Sequence, residues 1–311
     1  MTAPNPNPGP GAGPAAADPP GATVHHGPTA TEVRLDALMP AEMAARAAEI
    51  GVRKAAQGVV PMFVLAILAG AFIALGAAFA TTVSAGATGE LPYGVVRLLA
   101  GLAFSLGLIL VIVGGAELFT GNNLLAMAWA SRRISTGSVV RNWVVVYVGN
   151  FVGAVGTAIL VVAAGQYVFG GGSVGAVALG TAAAKVGYAP LQAFLLGILC
   201  NGLVCLAVRL TYSARTTTDR ILAIVPPIAA FVAMGFEHSV ANMYFIPAGL
   251  LVRALAPDSF WASIEAAPAD YAALDLAGFA GNLVPVTLGN IVGGTILVGA
   301  VYWLVYLRGR H

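Results

Sequence analysis

Hydrophobic positions in this chain gather into long apolar stretches divided by short polar ones. A helix crossing the apolar core of a bilayer needs roughly 20 such residues. Six stretches reach that length, at 60–83, 96–130, 143–165, 190–212, 220–255 and 279–307. The second and fifth are too long for one straight helix, and each carries polar residues in its middle. Upstream, at 31–58, the pattern changes. Val33, Leu35, Leu38, Met43, Ala47 and Ile50 interleave with Glu42, Arg46 and Glu49. That spacing predicts an amphipathic helix lying at the membrane surface before the first span. Residues 1–30 have no apolar periodicity and are rich in Pro, Gly and Ala. They predict a disordered tail. No basic start precedes an apolar run there, so a signal peptide is not expected. The pair His25 and His26 reads as solvated.

Composition narrows the class. Hydrophobic residues make up 59% of the 311, charged residues only 9%, and the mean hydropathy is +0.86. A soluble domain carries about 25% charged residues. A soluble enzyme, a nucleic-acid binder and a disordered protein are excluded, and a polytopic membrane protein fits. A net charge of +2 argues for no polyanionic partner. The 39 glycines suit close packing of membrane helices. Cys200 and Cys205 point different ways on one helix and read as small core residues, not a disulfide.

Charge then sets an expected orientation. With the amino terminus inside, inner segments hold twelve basic residues and outer ones three, Arg97, Lys185 and Arg253. Glu90, Asp258, Glu265, Asp270 and Asp275 all fall outside. Basic residues favour the cytoplasmic side. The expectation is a multi-pass protein of the cell membrane with both termini cytoplasmic.

The two long stretches share a pattern. Gly115, Glu117 and Asn122 recur 120 positions later as Gly235, Glu237 and Asn242. Glu117 and Glu237 are the only glutamates in the six stretches. Gly149, Asn150 and Gly153 recur as Gly289, Asn290 and Gly293. The first and fourth stretches offer no convincing match. Two halves of three spans each must sit upside down relative to one another. The fold expected is all-α, with six transmembrane helices in two inverted repeats, the second and fifth broken at 117–123 and 236–246. Broken helices survive at membrane depth only beside protein or a watery path.

Three segments are longer than a chance pattern: 117–123, 199–207 and 235–244. With them, the chain over about 50–308 closely resembles the formate/nitrite transporter family. The resemblance implies an aquaporin-like channel domain at 59–308, a homopentamer with one path per protomer, and small monovalent anions as substrates. Formate comes first, with nitrite or hydrosulfide as the alternative, and protons as co-substrate. No cofactor and no metal are expected.

His238 is the only histidine in the apolar stretches, and an intramembrane ionisable group is a functional candidate. One reading is a neutral imidazole satisfied by Thr120, Ser239 or Asn201. The other shares a proton with the anion, which then crosses as the neutral acid. In the family the matching histidine sits at the centre of the path. Thr120 either closes its own helix break or bonds His238 or substrate. Asn122 and Asn242 are expected to satisfy loose backbone, and Glu117 and Glu237 to accept N–H groups of the restarting half-helices. Lys185 reads as a solvated loop lysine, or, on the resemblance, as an attractor of anions. The resemblance also implies constrictions from Leu118, Phe119 and Phe231 with Phe72 and Leu75, excluding hydrated ions by dewetting. An intramembrane enzyme competes poorly, since His238 has no second histidine or thiolate in its motif.

Overall fold

The computed structural model describes residues 37–87 and 89–309, and its described part is all-helical. Helix α1, Pro40–Ala56, starts with Pro at its first turn, and the Glu42 carboxylate accepts the Met39 N–H at 2.8 Å. Met43, Ala44, Ala47, Ala48 and Gly51 form its buried face. That face packs on the protein, mainly on the short helix Leu125–Ala130. The first part of the predicted amphipathic helix and the whole 1–30 tail lie outside the described residues.

α2, Val59–Ser84, runs to α3, Tyr93–Gly114, which stops at the left-handed Gly115. Two short pieces follow, α4, Phe119–Asn122, and α5, Leu125–Ala130. α6, Thr136–Ala163, is capped by the Ser135 hydroxyl. α7, Ser173–Val186, occupies a segment for which the sequence predicts only a loop. α8, Pro190–Thr211, begins with Pro, and α9, Thr217–Ala233, begins with a Thr216–Asp219 capping box. α10, Ser239–Leu255, restarts after a second break. The short α11, Asp258–Ser263, precedes α12, Leu276–Val292, which continues through a π-helical turn, Gly293–Ala300, into α13, Val301–Tyr306.

Among the described residues five helices are long and apolar enough to cross a membrane: α2, α3, α6, α8 and the run ending at α13. The chain is a multi-pass membrane protein. The fifth stretch, 220–255, is no single helix, and its break falls at 234–238, with 239–246 helical where the break was expected to extend. It divides into α9 and α10, each 17 residues and so only about 26 Å long.

Packing explains the glycines. α2 lies on α6, and α8 on α12. A β-carbon at Gly153 would overlap the Ile67 carbonyl, and one at Gly293 the Ile198 carbonyl. Only glycine lets these backbones approach so closely.

Candidate functional site

The site starts from two helix breaks. Gly115 and Gly235 adopt φ of 77° and 74°, and each turns its chain out of helix for three residues. The freed backbone groups are satisfied by an asparagine from another helix. Asn150 on α6 accepts the Phe119 N–H at 2.9 Å and donates to the carbonyls of Ala66 and Glu117. Asn290 on α12 accepts the Ser239 N–H at 2.9 Å and donates to Gly197 and Glu237. The sequence had marked both asparagines as repeat-related without seeing this role.

Beside each break lies a buried charged set. Lys54 Nζ is 2.8 Å from Glu117 Oε2, and Lys185 Nζ is 2.7 Å from Glu237 Oε1. The amides of Asn122 and Asn242 donate to these carboxylates at 2.7 Å, and to the Oδ1 atoms of Asn142 and Asn282. Glu117 and Glu237 therefore do not hold backbone N–H groups, and Asn122 and Asn242 do not close the breaks; Asn150 and Asn290 do that work. A carboxylate at this depth needs a cation, and the lysines supply it.

The correspondence is numerical. Asn142 and Asn282 differ by 140 positions, as Asn150 and Asn290 do; Lys54 and Lys185 differ by 131, as do Leu65 and Leu196, whose carbonyls accept the Glu117 and Glu237 N–H groups. Phe63, Ile67 and Leu68 also recur at 131 as Phe194, Ile198 and Leu199. The first and fourth stretches match after all, once aligned through the lysines.

The halves differ at the centre. His238 stands where the first half has Leu118, Thr120 where the second has Val240, and Asn201 where the first has Gly70. These three departures meet. Thr120 Oγ1 is 3.0 Å from His238 Nε2, and Asn201 Nδ2 donates to Thr120 O, Asn123 Oδ1 and Asn290 O. The π-helical turn leaves room for this cluster: a β-carbon at Gly294 would press on Asn201, Asn123 and Cys205.

His238 is the N-cap of α10, and its Nδ1 accepts the Ala241 N–H at 3.1 Å. The ring is therefore protonated on Nε2 and donates to Thr120 Oγ1. The threonine hydroxyl keeps its own hydrogen to donate elsewhere. Phe231 stacks near the imidazole, centroids 6.0 Å apart.

Two cavities approach this centre. One, of about 580 Å³, is lined by Arg46, Arg53, Lys54, Glu117, Leu118 and Arg220 among others. The second, of about 280 Å³, is lined by Arg97, Lys185, Phe231, Glu237, His238 and Phe245 among others. Each holds one Lys–Glu pair and an excess of cations. Lys185 sits in the last turn of α7, its side chain 12% exposed, and is no solvated loop lysine. Its ammonium also lies 5.3 Å from the centroid of Phe245. Of the expected constriction residues, Leu118 lines the first cavity and Phe231 the second. Phe119 packs on Tyr147 and Trp143, Phe72 packs against the core, and Leu75 is 44% exposed on the outer surface.

The family model for formate/nitrite transporter matches residues 41–304. The chain is 46% identical over 274 residues to "Formate channel FocA" of Escherichia coli K12, covering 88% of this chain and 96% of that one. A solved "Pentameric formate channel with formate bound" superposes with a TM-score of 0.77 at 48% identity, covering 80% of this chain and 98% of that one. An "FNT family ion channel" gives 0.70 at 31% identity, covering 85% and 98%.

Proposed function

Since this chain belongs to the formate/nitrite transporter family of membrane channels and is no enzyme, we propose that it conducts formate, proton-linked at His238. Nitrite and hydrosulfide are the alternatives. The carrying observation is the Thr120–His238 pair, 3.0 Å apart, between two cation-lined cavities. In this reading residues 59–308 form the channel domain, and the described part of 31–58 is its cytoplasmic helix. Six crossings form two inverted halves, α3–α5 and α9–α10 being the broken ones. Both termini are cytoplasmic, and five copies assemble. The matched hydrogen-bond sets at the two breaks support the repeat, and the pentameric solved relative supports the assembly.

An anion is drawn into either cavity by Lys54 or Lys185 and their neighbouring arginines. Leu118 and Phe231 strip its water. Moving a bare carboxylate-sized ion into a dielectric of about 4 costs on the order of 20 kcal/mol. Formic acid, being neutral, avoids that cost. Between the cavities Thr120 and Asn201 supply hydrogen bonds, and His238 either relays a proton taken up from the aqueous phase or holds Thr120 as a donor. The Nδ1 that would take up a second proton already accepts the Ala241 N–H, so protonating it would break that cap.

His238→Asn separates the roles, because Asn is itself a good N-cap and cannot gain a proton near neutral pH. If His238 passes the proton, proteoliposomes carrying the variant lose pH-dependent uptake of labelled formate between about pH 5 and 8 while thermal stability holds. A wild-type pH profile in the folded variant overturns proton passage and leaves the donor role. Absence of formate uptake by wild-type protein, with nitrite or hydrosulfide conducted, overturns the substrate assignment.

A further inference from the structure

A third cavity, partly open, lies away from the path. It measures about 380 Å³ and is lined by Ala130, Ser131, Arg132, Trp303, Arg308 and Gly309. Arg132 follows α5, and Arg308 follows α13. Arginines just past helix ends are ordinary, because the carbonyl ends favour cations. Three observations exceed that explanation.

No acid lines the cavity, and among the described residues neither guanidinium forms an ion pair. Two cations thus share a space with no acid beside them among the described residues. The indole Nε1–H of Trp303 is buried without an acceptor. A buried donor without a partner in a folded protein calls for one from outside it. Finally, Leu297, Val301 and Leu304 fall at helical spacing along the last span, which ends just before Arg308, and each is about half exposed. An apolar track leads to a basic, donor-rich end.

We propose that this cavity seats the phosphate of an anionic phospholipid, whose acyl chains lie along Leu297, Val301 and Leu304. Arg132 and Arg308 pair with the phosphate, and the headgroup offers the indole an acceptor. Basic residues beside a membrane attract anionic lipid, and Trp is at home in that interfacial layer. The cavity shares no lining residue with either cavity of the path.

The test uses the full chain in nanodiscs of phosphatidylcholine containing acyl-brominated phosphatidylglycerol or acyl-brominated phosphatidylcholine. Bromine quenches nearby tryptophan, and subtraction of a Trp303→Phe sample isolates the Trp303 signal. Phosphatidylglycerol should quench Trp303 at a mole fraction several-fold lower than phosphatidylcholine does. The double variant Arg132→Asn, Arg308→Gln should lose that preference, roughly fivefold per arginine, with formate uptake unchanged. Asn suits position 132, where φ is 56°. Equal quenching by the two lipids, or an undiminished preference in the double variant, overturns the proposal. So does its abolition by inorganic phosphate, which would assign the cavity to free anions. A change of oligomeric mass in the double variant would assign it to contacts between copies, and also overturns it.

Discussion

Thr120 and His238 illustrate how little chemistry the centre contains. One hydroxyl and one imidazole meet at 3.0 Å, both buried, and each belongs to a different break. Thr120→Val installs what the other half carries at that position, Val240. It leaves the His238 Nε2–H without an acceptor, which costs about 1–3 kcal/mol, and removes a donor to the anion. We expect a lower melting temperature and at least tenfold slower formate uptake; Thr120→Ser should restore both. Full uptake in the valine variant would take the hydroxyl out of the path. The sequence marked His238 and Thr120 because an ionisable group and a repeated motif stand out against apolar surroundings. It did not mark Lys54 or the asparagines at 142, 150, 282 and 290 as site residues. Lys54 lies in a helix read as superficial, and asparagine on an apolar helix advertises no partner. Their signal was the common offset of 140, visible once two helices are aligned, and of 131 for the lysines.

At the scale of the element, glycine decides which helices can touch. Gly153 on α6 meets the Ile67 carbonyl of α2, whereas Gly156, three residues on, faces nothing within 4 Å. Gly153→Ala should therefore force α2 and α6 apart, shift Asn150 from the first break, and abolish folded, assembled protein in a size-exclusion assay. Gly156→Ala should be neutral or slightly stabilising, since alanine favours helix by up to about 1 kcal/mol over glycine. Equal behaviour of the two variants would show that close approach is not what fixes Gly153. Long spans were legible because their apolar runs exceed any soluble helix. α7 was not, because fourteen mostly small residues after a Gly-rich turn fall below the length that signals a crossing. The π-helical turn in the last span also escaped, since nothing in its composition sets it apart from ordinary helix; its Gly294 packs against Asn201 and Cys205, which are distant in sequence.

The whole molecule is tied together on the side of α1. Arg209 donates to the Pro40 carbonyl at 2.8 Å and stacks on Tyr302, and Ser213 donates to the Leu38 carbonyl at 3.0 Å. These ties begin at residue 38. A chain lacking residues 1–30 should insert, assemble and take up formate as the full chain does, measured by native mass and flux. Loss of assembly in that deletion would give the tail a structural part. Fold class and family were legible from composition and motifs. Orientation was argued from the distribution of basic residues, and a protease-accessibility test on both termini in sealed vesicles would decide it. Both termini should be cut only from the cytoplasmic face.

The paired lysine–glutamate sets also carry an electrical consequence. A conductor whose two mouths present the same charged group to an entering ion offers similar access resistance from either side. Current measured against voltage of either sign should then be nearly the same. Whatever rectification remains must originate where the halves differ, at His238 against Leu118, or in the extra arginines of the larger vestibule. Recording before and after neutralising Arg46 and Arg220 would divide the two sources.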